Sequence, residues 1–235
     1  MSAANVGYMY HQNRLRGQDY SASPAENDMR LLPDGALPVG DWYANLVMRG
    51  LAWHVSIGAF STPIAGGGAA AIIDLDQPRG LISVPRGTCL VPLRVHVQCQ
   101  VPLLATDSDE SEIVIAVDRA NAWARDGTRT DEDAFNMRTD IVGGCPCLAA
   151  SAFSADTTDP VLDVELAHAV IIGDVQGVAA TAFWNPLELL YEPRRPPFIV
   201  GPAMLLLYWG GTVATTGFAQ VQFAAIPSSK VTGLA

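Results

Sequence analysis

The chain has 235 residues, of which only 16% are Asp, Glu, Lys or Arg while 49% are hydrophobic. A typical soluble domain carries about 25% charged residues, so the charge is too sparse to coat a solitary molecule, and a subunit that covers part of its exterior with neighbours is expected. The formal net charge is -10, and the first 30 residues hold only the cations Arg14, Arg16 and Arg30, which argues against strong direct binding of nucleic acid.

The length suits one large all-β domain that buries its own core without staples. Met1-Ser2-Ala3-Ala4-Asn5 lacks a cationic start followed by an apolar stretch, so no secretory signal is expected and synthesis in a reducing cytoplasm follows. Cys89, Cys99, Cys145 and Cys147 could pair in three ways, but four cysteines in a chain this long do not make a disulfide scaffold, and mostly free thiols are expected. The two stretches without formal charge, Gly50 to Ile73 and Pro196 to Ser229, are broken by Pro63, the run Gly66-Gly67-Gly68, Pro197, Pro202 and Gly210-Gly211, so no membrane span is expected.

Residues 1–40 mix Tyr8, Tyr10 and Tyr20 with Pro24, Pro33 and Pro38 and show no period, as an extended arm lying on protein surface would. Residues 41–235 then form one domain. Asp41 and Gly50 bracket a run that fits a short helix, with an opening strand as the alternative. Beyond residue 50 the pattern is that of strands, at 51–60, 69–75, 81–84, 89–101, 111–118, 161–172, 177–184, 203–209 and 216–226. The fourth is the plainest: Leu93, Val95, Val97 and Cys99 share one face, and Arg94, His96, Gln98 and Gln100 the other. Pro92 and Pro102 flank it and belong at an end, edge or bulge. In the fifth, Ile113, Ile115 and Val117 face one way, and their mostly apolar alternates Val114 and Ala116 predict cover on both sides. Residues 119–160 read as a long connection, with a weak capping box at Thr130 and Asp133 that predicts a short helix over 131–138. Plentiful turns (21 Gly and 16 Pro) and eight to nine strands suit an all-β, antiparallel two-sheet sandwich of jelly-roll type.

No residue set points to catalysis, and no cofactor is expected. His11, His54, His96 and His168 are scattered, and none sits in the paired spacing of a cupin metal site; His168 shares parity with Leu162, Val164 and Leu166 and is expected on the apolar side. Cys145-Pro146-Cys147 has one intervening residue, too few for a zinc knuckle, and reads as a tight loop. Asp107, Asp109, Glu110 and Glu112 form the densest negative run; they read as a solvated tip, with calcium at a subunit boundary as the weaker alternative. Asp163 and Glu165 fall on one strand face as surface carboxylates. Arg194 and Arg195, set among prolines, fit a subunit contact with an acidic loop such as 107–112.

The arm 1–40, the strand series with Pro92 and Pro102, the excursion 119–160 and the close over 201–227 together resemble the single jelly-roll capsid proteins of icosahedral viruses and tailless phages. In that close, Gly201-Pro202-Ala203-Met204-Leu205-Leu206-Leu207-Tyr208 leads through Gly210-Gly211-Thr212 to Phe218-Ala219-Gln220-Val221-Gln222-Phe223. The resemblance implies a shell subunit of a virion, made in the host cytoplasm. Its partners would be copies of itself and other capsid proteins, reached through the arm (Tyr8, Tyr10, Tyr20) and through loops that include Arg194 and Arg195. The nearly neutral arm departs from the arginine-rich arms of many RNA-virus coats. A sugar- or receptor-binding sandwich and a cupin-like metalloenzyme are the alternatives.

Overall fold

A computed structural model describes residues 42–67, 73–101, 109–120, 123, 127–154, 158–172 and 185–231. The arm with Tyr8, Tyr10 and Tyr20, the candidate strand 177–184 and residue Asp107 lie outside these. The chain divides into two units, 1–44 and 45–235, and every described strand belongs to the second.

The first described element is a helix, α1 (Trp42–Met48), which takes the place of the alternative opening strand. Gly50 ends it at φ +70. Its N–H donates to Val47 O at 2.9 Å and that of Leu51 to Leu46 O at 2.9 Å, the paired closure that a left-handed glycine permits. A Cβ on Gly50 would also collide with Ile141.

Thirteen strands come after it among the described residues: β1 (Ala52–Ile57), β2 (Ile64–Ala65), β3 (Gly80–Val84), β4 (Thr88–Val101), β5 (Glu110–Asp118), β6 (Thr128–Glu132), β7 (Ala134–Asn136), β8 (Leu148–Ser154), β9 (Val164–Ile172), β10 (Asn185–Tyr191), β11 (Ile199–Val200), β12 (Ala203–Gly211) and β13 (Thr216–Pro227). They form two antiparallel sheets, ordered β10-β4-β13-β1-β7 and β6-β8-β3-β12-β5-β9, with β11 beside β4 and β2 beside β13. The pairing has a simple logic. β5 pairs β9, β4 pairs β10, β3 pairs β12 and β1 pairs β13. Taken in chain order, these eight strands are therefore one long antiparallel ribbon, folded at the β5–β9 link and rolled so that successive strands alternate between sheets. That is the jelly-roll arrangement.

The two-residue period explains the core. Val95, Val97 and Cys99 of β4, Ile113, Ile115 and Val117 of β5, Leu205, Leu207 and Trp209 of β12 and Val221 and Phe223 of β13 meet between the sheets. The opposite side of β5 and β12 is also covered: Val114, Ala116, Met204, Leu206 and Tyr208 form a second cluster with Trp123 and Phe153. Cover on both faces is why β12 is buried along its whole length. Its two buried polar rings stay satisfied, Tyr208 donating to Leu75 O at 3.0 Å and Trp209 Nε1 to Ile64 O at 3.2 Å. Pro92 sits at a bulge, where the register between β13 and β4 slips and a missing N–H costs no ladder bond.

The excursion differs from expectation. Residues 131–138 are not helical: β6 and β7 occupy 128–136, and β8 completes a three-strand insertion. Thr128 and Thr130 favour extended backbone, and no apolar stripe at helical spacing opposes them. β8 pairs with both β6 and β3, so β6 and β8 widen the second sheet, while β7 pairs with β1 and widens the first. The insertion is pinned at its base, where Asp163 N donates to Val117 O at 3.0 Å. The Asp163 carboxylate in turn accepts from the Arg119 backbone N–H at 2.7 Å. A second bulge, between Ile115 and Ala116 of β5 and their β9 partners, resets the phase of β9. Ala167, Ala169 and Ile171 consequently pack on the core, and His168 faces outward, correcting its expected placement on the apolar side.

Candidate functional site

The chemistry most open to a partner lies along the sheet edges. Strand edges present unpaired backbone groups, and isolated proteins usually blunt them with charge. β6 does so: its residues Thr128 to Asp131 are exposed, and Arg129 pairs with Asp131 at 3.2 Å. Among the described residues, the outermost strands of the other three edges, β7, β9 and β10, also expose large apolar side chains.

On β7, Phe135 is 66% exposed on the outer side while Ala134 packs on the core. The loop after β7 returns beside it, with Val142 100% exposed. Ala134, Phe135, Ile141 and Val142 thereby line an open groove of about 780 Å3. The loop is held by polar clamps. Asn136 Nδ2 donates to Gly50 O at 2.7 Å, and Arg138 Nη1 donates to Met48 O at 2.8 Å, placing a cation at the end of α1. Arg138 also grips Asp140 through two bonds of 2.8 and 2.7 Å, which hold the Asp140 carboxyl below the ordinary carboxylate range.

On β9, Val164, Val170 and Ile172 are exposed around an ionisable pair, His168 Nε2 to Glu112 Oε2 at 2.8 Å, with Glu165 3.8 Å from the other ring nitrogen. Along β10 and β11, Leu190, Phe198 and Val200 are exposed. Here too a histidine is paired across strands, His96 Nε2 with Glu188 Oε1 at 2.6 Å, and Arg94 lies 3.5 Å from Glu192. Burial pushes the pKa of the third described histidine, His54, down; its Nε2 lies 3.1 Å from Ser56 Oγ.

Arg194 and Arg195 are exposed in the link between β10 and β11, and among the described residues neither has an ion-pair partner. Of the acidic run, Glu112 is engaged with His168, and the Glu110 backbone donates to Thr212 Oγ1 at 2.9 Å. Among the described residues no group of three or more His, Cys, Asp or Glu side chains is placed to hold a metal ion. Asp163 is bound to Arg119 and Glu165 stands beside His168, so these two carboxylates serve separate contacts. Among the described residues no helix is long and apolar enough to cross a membrane.

The β7 groove and both histidine–carboxylate pairs escape sequence reasoning. Thr128-Arg129-Thr130 is the available signal for β6, whereas the pairs join residues 92 and 56 positions apart and appear only once register is known. Compared with models of known protein families and with curated proteins, the sequence matches none.

Proposed function

We propose that this chain is a structural subunit of a virus shell, which assembles with copies of itself and with other capsid proteins through its sheet edges and loops. The observation that carries the proposal is the exposure of large apolar side chains on three edges of a rolled-ribbon sandwich: Phe135 on β7, Val164, Val170 and Ile172 on β9, and Leu190 and Val200 on β10 and β11. In water such edges invite unselective pairing, so their retention favours a state in which neighbours cover them. The low charge content of 16% supports the same state.

Edges at different sides of one subunit suit a closed shell. Each contact between unlike patches repeats through a rotation that closes, and several weak contacts per subunit add up. The exposed Arg194 and Arg195 fit an acidic patch on a neighbour, and the net charge of -10 makes genome packaging through this chain a minor role.

The test is light scattering and negative-stain imaging of the purified full chain at micromolar concentration. Closed particles or rings are expected. A population composed only of 24.9 kDa monomers overturns the proposal.

A further inference from the structure

The Cys145-Pro146-Cys147 turn joins the loop that walls the β7 groove to the first residue of β8. Its two thiols sit in different surroundings. Cys147 is buried in the core between the sheets, and Cys89, buried at the start of β4, lies within electrostatic reach of it. Cys145 is half-buried against the same core, but Val142, Gly143, Gly144 and Pro146 around it are exposed. A Cβ on Gly143 or Gly144 would meet nothing within 4 Å, so the chain leading into Cys145 borders open space.

The thiols are hydrogen-bonded to each other. Donation from Cys147 S–H holds the Cys145 thiol below its ordinary value, and the same bond together with burial pushes Cys147 up. Cys145, half-buried beside exposed neighbours, is thus the thiol that a reagent meets first and the one more readily ionised, and Cys147, buried behind it, is its proton donor. Spacing allows closure. Two residues span at most about 7 Å, and the bend at residues 146–147, with proline's φ near about −65°, shortens that toward the roughly 4.4–6.8 Å between Cα atoms found in disulfides.

We propose that Cys145 and Cys147 are an oxidisable dithiol, closed to an intramolecular disulfide by a low-molecular-weight disulfide such as oxidised glutathione. The Cys145 thiolate attacks one sulfur of the reagent; a Cys145–glutathione bond forms, the reagent's S–S bond breaks, and one glutathione thiolate leaves. Cys147 gives its proton to that thiolate and attacks Cys145 Sγ. The Cys145–Cys147 bond forms and the second glutathione departs as thiolate. The protein dithiol has lost two electrons, and the reagent has gained them. Closure ties the groove wall to the fixed start of β8. This inference is independent of any role in a shell.

The experiment treats the native full chain with oxidised glutathione, blocks remaining thiols by alkylation and maps the peptides by mass spectrometry. A Cys145–Cys147 disulfide is expected, with Cys89 and Cys99 recovered as blocked thiols. In Cys147→Ala the glutathione is expected to stay on Cys145, at least about 10-fold more than on Cys89. In Cys145→Ala, Cys147 is expected to remain unmodified. Cys145 recovered as a thiol in the wild type, a lasting glutathione adduct there, or equal reaction at Cys89 and Cys99 overturns the proposal. The wild-type map decides alone should a variant fail to fold.

Discussion

Replacing Phe135 by Lys separates what a side chain does for its own fold from what it does between molecules. The ring is 66% exposed on edge strand β7. Taking about 200 Å2 for a whole phenylalanine side chain, roughly 130 Å2 stays wet in the lone molecule. At about 25 cal/mol per Å2, covering that area in a contact contributes about 3 kcal/mol, or about 100-fold in the dissociation constant of each contact. The same substitution costs the fold itself about 0.5 kcal/mol or less, because little is removed from the core. The assay is the concentration at which light scattering rises, measured alongside the urea midpoint. A threshold raised by about 100-fold with an unmoved midpoint is expected. Phe223→Ala is the control: that ring is 0% exposed between the sheets, and its loss costs about 3–5 kcal/mol of folding stability. An unchanged threshold for Phe135→Lys refutes the idea that β7 is an assembly edge, and a fallen midpoint shows that the ring supports its own subunit instead.

Two further outcomes rest on local geometry. Ala152 holds φ +51 at the irregularity between β6 and β8, a conformation that costs an L-residue about 1 kcal/mol and glycine little. Ala152→Gly should therefore raise the melting temperature by about 2–4 °C, and a fall in a thermal scan contradicts this. Asp163 is held below the ordinary carboxylate range, first by the Arg119 backbone N–H and then by the Arg119 guanidinium. Its contribution is present above the unfolded-state pKa and is lost as pH falls through the depressed folded value. Asp163→Asn should be less stable than wild type at pH 7 and equal to it in strong acid, as read by urea unfolding; a gap that persists unchanged into acid excludes that origin.

Much of the architecture is legible in the residues. The alternation in β4 and the double apolar faces of β5 locate both strands and announce cover on either side, because a period of two is a direct image of the pleat. The excursion resists such reading for a physical reason: β6 is short, polar and exposed, β7 is only three residues long, and they hold as strands only because β8 and β1 supply partners far away in sequence. His168 shows a second limit. Parity carries a face assignment along a strand only while the register is unbroken, and the bulge opposite Ile115 inverts it. Scarce charge is a property of the whole chain and does not say where the exposed apolar side chains lie. Phe135, Val142 and Val170 are ordinary apolar residues until topology puts them at a rim.

The rolled ribbon leaves a mark on how the molecule is made. β13 lies between β1 and β4, yet every residue of both is synthesised long before it. During translation those two strands face a gap that only the last strand fills, and the first sheet closes late through contacts distant in sequence. A chain cut short before Thr216 lacks the middle of that sheet and not its margin. Strand-matched peptides, or chaperones that hold bare strands, should find their target in this unfinished chain rather than in the completed fold.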